Sequence, residues 1–256
     1  MKLEDVEVVH EGPVTRVVLA RPERRNALSL SLMRQVLAAL EELPEETQVV
    51  VLAAEGPAFS AGHDLTELVD RDDAFYRELF DVCTEMMEAI HGIPQPVIAR
   101  VHGPAYAAGC QLVASCDLAV AAEAATFATP GVKIGLFCST PMVPVSRAVG
   151  RKRALELLLT GEPISAQTAL EWGLVNRVVP AERLDGTVSE LVDQITRYSP
   201  LVIGIGKHAF YEQMELDEHG AYDLGKATMV SNAPLADAQE GIGAFIEKRQ
   251  PSWTSR

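Results

Sequence analysis

The chain is short of basic residues. Lysine and arginine number 22 against 36 aspartates and glutamates, a formal net charge of −14. Nucleic-acid affinity rests mainly on lysine and arginine against phosphate, so this balance argues against a nucleic-acid partner. Long apolar runs are missing as well. Charged residues interrupt each stretch before it reaches the roughly 20 residues of a membrane-spanning helix, and no membrane partner is expected. The opening MKLEDVEVVHEG is acidic and strand-like, unlike a signal or transit peptide, which leads to an expectation of a cytoplasmic protein. The four cysteines, Cys83, Cys110, Cys116 and Cys138, form no C-x-x-C pair and no ligand spacing with histidine. That argues against a disulfide framework or a metal site and for buried free thiols. P-loop and serine-triad patterns and tandem repeats are absent too. Acidic residues, plentiful overall, vanish from two stretches: there is none from Ala89 to Cys116 or from Ala124 to Leu155.

What is present suits a large folded core. At 256 residues and 48% hydrophobic, the chain can bury one domain, or one domain with an appendage. Val6–His10 and Val14–Leu19 flank Glu11-Gly12-Pro13 as a hairpin. Leu28, Leu32, Val36, Leu40 and Leu43 repeat near helical spacing until Pro44. Val49–Ala54 and Val97–Val101 read as buried strands, with a helix over Asp70–Ile90 between them, and Leu118–Ala122 starts another round. This alternation predicts a layered α/β fold. From about Ser199 the pattern is helical, with breaks expected at Gly220 and Pro234. Gly204 to Ala209 fits G-x-G-x-x-A, but no strand–turn–helix unit surrounds it, so it reads as helix with tolerated glycines.

Two loops dominate the reading: Ala58–Leu65 (AFSAGHDL) and His102–Leu112 (HGPAYAAGCQL). Each is a small-residue turn expected to run into a helix. Unpaired N–H groups at such a start attract negative charge, and glycine or alanine lets a ligand approach the main chain. Two such turns converging would form an oxyanion pocket with no side chain required.

These loops, with FATPGVKIGL, ALELLLTGEPISAQTALEWGLVNRVVP and GIGAFIEKRQP, resemble the enoyl-CoA hydratase/isomerase (crotonase) family over nearly the whole chain. The resemblance implies a spiral of strand–strand–helix turns over residues 1–198 and a C-terminal helical segment, 199–256, that packs against neighbouring subunits in a homotrimer or dimer of trimers. It implies an acyl-CoA thioester as ligand, coenzyme A entering as part of the substrate with no permanently bound cofactor. Its thioester oxygen would be held by the N–H groups of His63 and Ala108. The two glutamates of the hydratases fall on Gln111 and Gly131, and the acid of the dienoyl-CoA isomerases falls on Ser139. An amide orients water but cannot take its proton, and the acid-free stretches leave no neighbouring carboxylate to substitute. Asp64 reads as a helix cap rather than a base. Arg24, Arg25 and Lys248 match positions that reach coenzyme A. The expected chemistry runs through a thioester enolate. A non-catalytic acyl-CoA binder, or a lyase, hydrolase or isomerase acting on an unusual acyl group, stays open beside it.

Overall fold

In the computed structural model, which describes residues 4–254, the β-branched N-terminal segments fold as the expected hairpin. β1 (Val6–Glu11) and β2 (Val14–Leu19) pair antiparallel, with Gly12 at φ +57° in the turn, where a side chain would be strained. α1 (Leu30–Glu41) starts where the Ser29 hydroxyl accepts the Leu32 N–H, and it buries Leu32, Met33, Val36 and Leu40. Leu28 and Leu43 fall outside it: Leu28 is held in a parallel bridge to His63, and Leu43 lies beyond the cap at Glu42. α2 (Asp73–Gly92) begins three residues later than expected. Asp70 is left-handed (φ +53°), and Asp72 caps the helix by accepting the Phe75 N–H.

Three near-uniformly apolar segments form the centre of a six-stranded sheet, ordered β1-β2-β3-β4-β6-β9. They are β3 (Val49–Ala54), β4 (Val97–Val101) and β6 (Leu118–Ala122), all parallel, with β9 (Arg177–Val179) at the edge. Strands covered on both faces need no polar alternation. Successive residues point to opposite faces, so Val50 and Leu52 enter the main core while Val49 and Val51 pack under α7 (Leu184–Thr196). A second, three-stranded sheet joins β5 (Ala105–Tyr106), β7 (Thr126–Ala128) and β8 (Ile164–Ser165). The chain winds between the sheets. It runs β4, β5 and α3 (Ala108–Ser115), then β6 and β7 with α4 (Met142–Val149) and α5 (Arg151–Thr160). It then passes through β8 and α6 (Ala166–Trp172) back to β9. This is the strand–strand–helix spiral.

Three helices close the chain: α8 (Pro200–Gln213), α9 (Glu218–Asn232) and α10 (Ala236–Glu247). The expected break at Gly220 is wrong. The chain breaks at residues 214–217, because Asp217 caps α9 by accepting the Gly220 N–H at 2.8 Å, which puts Gly220 in the first turn. The break at Pro234 is found. The G-x-G-x-x-A segment lies wholly within α8, where Gly204 allows close packing: a Cβ there would stand 2.8 Å from the Pro94 Cβ. Lys207 fastens α8 to the core, donating to the carbonyls of Ile90 (2.6 Å) and Gln95 (2.8 Å) and pairing with Asp117 (2.7 Å). Tyr211 donates to the other oxygen of Asp117 at 2.7 Å and stacks on His91. All four cysteines are buried free thiols, and burial pushes Cys83 and Cys110 up to about 12.

Candidate active site

The first loop is set by Asn26, buried and left-handed at φ +51°. Its amide donates to the carbonyls of Glu55 and Ala58, both at 2.8 Å, and its side-chain oxygen accepts the Arg21 N–H at 2.9 Å. Its own carbonyl accepts the Ser60 hydroxyl at 2.8 Å, and Ser60 in turn accepts the Gly62 N–H. A parallel bridge follows: Leu28 N–H donates to the Gly62 carbonyl (2.8 Å), and Asp64 N–H donates to the Leu28 carbonyl (3.2 Å). In extended backbone alternate residues turn their polar groups to opposite sides, so His63, lying between these two bonds, directs its N–H away from Leu28. That N–H has no acceptor among the described residues. The loop does not run into a regular helix as expected. It ends in a three-residue 3-10 turn, Leu65–Glu67, so the bridge rather than a helix dipole orients this donor.

The second loop behaves as expected. Ala107 adopts φ +49°, ψ −118°, its N–H bound to the Ala128 carbonyl at 2.8 Å and its carbonyl accepting from Gln111 at 3.0 Å. Ala108 is therefore the first residue of α3, and its N–H likewise has no acceptor among the described residues. Glycines let the two loops touch. A Cβ on Gly62 would stand 2.8 Å from the Ala107 Cβ and 3.2 Å from the Ala108 nitrogen, and one on Gly109 would overlap Ser60. Tyr106 N–H donates to the Ser60 carbonyl at 2.9 Å, tying the loops along a shared edge.

His63 and Ala108 open onto one cavity of about 760 Å³. Its walls are mostly apolar: Leu65, Leu68, Phe80, Leu136 and Phe137 surround Gly131, Cys138, Ser139 and Thr140. Among the described residues lining it there is no aspartate or glutamate; Lys133 is its cation, paired with Glu162 at 2.8 Å. The His63 ring lies edge-on to Phe80 at 5.5 Å between centroids. Both ring nitrogens are closed off from open space, with the Leu28 backbone the group that acts on the ring. Burial, partly opposed by the nearby Leu28 carbonyl, lowers its pKa, so the ring is neutral at pH 7.

The remaining candidates are scattered. Gln111 does not line this cavity. One helical turn past Ala108 it faces α2, with its Oε1 4.0 Å from Cys83 Sγ, and lines a neighbouring cavity of about 610 Å³ that shares Thr140. Asp64 is buried and caps the 3-10 turn through the Thr66 N–H and hydroxyl, with Arg21 at 3.2 Å. Burial pushes its carboxyl up, but Thr66 and the guanidiniums of Arg21 and Arg24 outweigh that, and its pKa falls. Arg24 and Arg25 are exposed, and the Arg25 carbonyl accepts the Ala61 N–H at 3.0 Å, so both flank the first loop. Lys248 ends α10 in an exposed left-handed turn and does not line the cavity. Sequence reasoning missed Asn26 and the apolar wall residues. Asn26 carried one signal, a residue tolerant of left-handed backbone just ahead of a helix.

Comparison with known proteins follows the same lines. A model of the enoyl-CoA hydratase/isomerase family matches residues 10–256. The mouse mitochondrial enoyl-CoA hydratase domain-containing protein 3 is 50% identical over 244 residues, covering 94% of this chain and 81% of its own. An enoyl-CoA hydratase structure from Mycobacterium smegmatis superposes with a TM-score of 0.95 at 46% identity, covering 98% of this chain and 99% of its own. The human enoyl coenzyme A hydratase domain-containing protein 3 gives 0.95 at 45% identity, covering 98% and 100%. No helix among the described residues is long and apolar enough to cross a membrane. The mouse protein's name places that protein in mitochondria, and the cytoplasmic expectation finds no support there.

Proposed function

The chain belongs to the enoyl-CoA hydratase/isomerase family, and on that premise we propose that it binds an acyl-CoA thioester and stabilises its enolate through the N–H groups of His63 and Ala108. One observation carries this reading: two main-chain donors without acceptors, on loops in contact, open onto one apolar cavity. A carbonyl oxygen gaining charge as its α-carbon loses a proton is best held by donors fixed in advance, and each such donor contributes about 100- to 1000-fold in rate. Arg24 and Arg25, beside the first loop, supply positive charge for the phosphates of coenzyme A. Lys248 serves that role only toward a neighbouring subunit of a homotrimer or dimer of trimers.

Ordinary hydration of a 2-enoyl thioester asks for one group to activate water and another to protonate the α-carbon. The carboxylate-free lining offers no such pair. The same lining favours a second reading, a binder that holds acyl-CoA without turning it over. Calorimetric titration with butanoyl-CoA and octanoyl-CoA, beside a 2-enoyl-CoA hydration assay followed by loss of enone absorbance, tests the proposal. Saturable binding with hydration far below that of a glutamate-bearing hydratase is expected. Absence of binding removes the acyl-CoA reading, and hydration at full hydratase rates removes the view that this site lacks hydration machinery.

A further inference from the structure

Beside the acyl cavity lies a second one, of about 610 Å³, walled by α2, α3, α4 and α8. The two meet at Thr140, which lines both. Some polar groups of the second cavity are already engaged: the Tyr211 hydroxyl donates to Asp117, and the Ser115 hydroxyl donates to the Gln111 carbonyl. Two others are not. The Gln111 side chain is only 3% exposed, and its Oε1 has the Cys83 thiol, at 4.0 Å, as its one hydrogen-bond contact among the described residues. Its Nε2 donates to none of the described residues and, unlike the His63 ring nitrogens, is not closed off from open space. The half-buried Thr140 hydroxyl is also without a partner among the described residues. Had Gln111 been needed only to fill space beside Cys83, leucine would have served without leaving a buried donor unpaired.

Resting on the acyl-CoA reading above, we propose that the second cavity receives the far end of the acyl chain and that this end carries a hydroxyl group, hydrogen-bonded to the Gln111 amide. Ala108 and Gln111 are three residues apart on α3, about 4.5 Å of helix axis, so a thioester held at the first lies within a short chain's reach of the second. Gln111 does not line the acyl cavity, so the group it reads has already passed Thr140. A hydroxyl can accept from the amide nitrogen and donate to the Thr140 oxygen at once. A carboxylate fits less well. The charged groups lining this cavity are Glu88, Glu215 and Arg147, and Arg147 already faces Glu215 at 3.5 Å. Burial lowers the His91 pKa, so that ring adds no positive charge at pH 7. Two carboxylates against one guanidinium disfavour an anionic tail. A plain alkyl tail fails for another reason: it strips water from the amide and returns no hydrogen bond. Sites built to hydrogen-bond a substrate hydroxyl reject the analogue lacking it on that ground.

Calorimetric titration of the full-length protein with 8-hydroxyoctanoyl-CoA, octanoyl-CoA and octanedioyl-CoA tests this, with 6-hydroxyhexanoyl-CoA and hexanoyl-CoA as a shorter pair. The hydroxylated chain is expected to bind about 10- to 100-fold more tightly than the plain chain of the same length, the range set by one buried hydrogen bond made or left unmade. The dicarboxylic chain is expected to bind more weakly than the hydroxylated one. Gln111→Leu keeps the bulk and removes the amide. It should weaken the hydroxylated chain, tighten the plain one and so erase the preference, whereas a purely structural Gln111 would shift both ligands together. Equal affinity for hydroxylated and plain chains at both lengths overturns the proposal and leaves the acyl-CoA reading standing, as does a preference that survives Gln111→Leu. Tighter binding of the dicarboxylic chain overturns the choice of a hydroxyl. If no acyl-CoA binds, both readings fall together. The wild-type comparison needs no variant, so a failure of Gln111→Leu to fold leaves the test intact.

Discussion

A Cβ on Gly131 would overlap the Leu136 carbonyl oxygen and stand 2.8 Å from Cys138 Sγ. The segment from Pro130 to Cys138 has folded into the space that a longer residue at this position would use, with the Leu136 N–H returning to the Gly131 carbonyl at 3.0 Å. Placing a glutamate here, where the sequence resemblance puts one from the hydratases, should therefore fail twice. Gly131→Glu is expected to lower Tm by roughly 2–12 °C, from overpacking of about 1–3 kcal/mol, and to leave 2-enoyl-CoA hydration unimproved. A melting curve and the enone assay on one sample check both, and a stable variant that hydrates would show that the loop yields. Single residues were unevenly legible. The loops that carry His63 and Ala108 stood out because small residues announce tight local turns. Asn26 did not: its partners Glu55 and Ala58 lie 29 and 32 residues away, and a hydrogen bond of that span leaves no mark in a local pattern.

At the scale of elements, the buried strands were plain in sequence, because a parallel strand covered on both faces reads as a near-continuous apolar run. Helix ends were less so. The Asp70 and Gly220 boundaries failed because the capping side chains Asp72 and Asp217 overrode composition. The helical ending expected for the loop Ala58–Leu65 also failed, since a bridge to Leu28 holds it and only a 3-10 turn follows. How α8 docks could not be read at all: Lys207, in the helix, and Asp117, at the start of β6, are 90 positions apart, yet both are nearly buried and paired at 2.7 Å. Removing one partner of such a pair leaves the other charge uncompensated. Lys207→Met, which keeps the aliphatic stem, should cost about 3–5 kcal/mol. It should also raise hydrogen exchange through α8 before the large sheet is affected. Urea unfolding with peptide-resolved exchange measures this; a loss spread evenly over the fold would mean that Lys207 is not a local fastener.

The whole molecule carries an imbalance that the monomer does not explain. α9 and α10 expose Tyr222, Met229, Val230, Ile242, Phe245 and Ile246, with Phe245 at 85% and Ile246 at 72%. Large apolar side chains left exposed on neighbouring stretches of chain are a mark of an interaction site. Its position at the C-terminal helices agrees with the homotrimer or dimer of trimers proposed above. Phe245 touches too little of its own chain to matter for folding, so Phe245→Asp should leave the melting of the spiral core intact while placing charge in the subunit contact. Sedimentation is expected to show the wild-type protein as a trimer or hexamer and Phe245→Asp as smaller species. Lys248 lies three residues further on, so the same variant separates its two possible roles. If Lys248 serves a neighbour's coenzyme A, dissociation should weaken butanoyl-CoA binding while leaving butanoyl-pantetheine, which lacks the nucleotide phosphates, unaffected. Equal loss for both ligands would mean that the assembly shapes the acyl cavity itself, and no change in sedimentation would remove this face from the subunit contact.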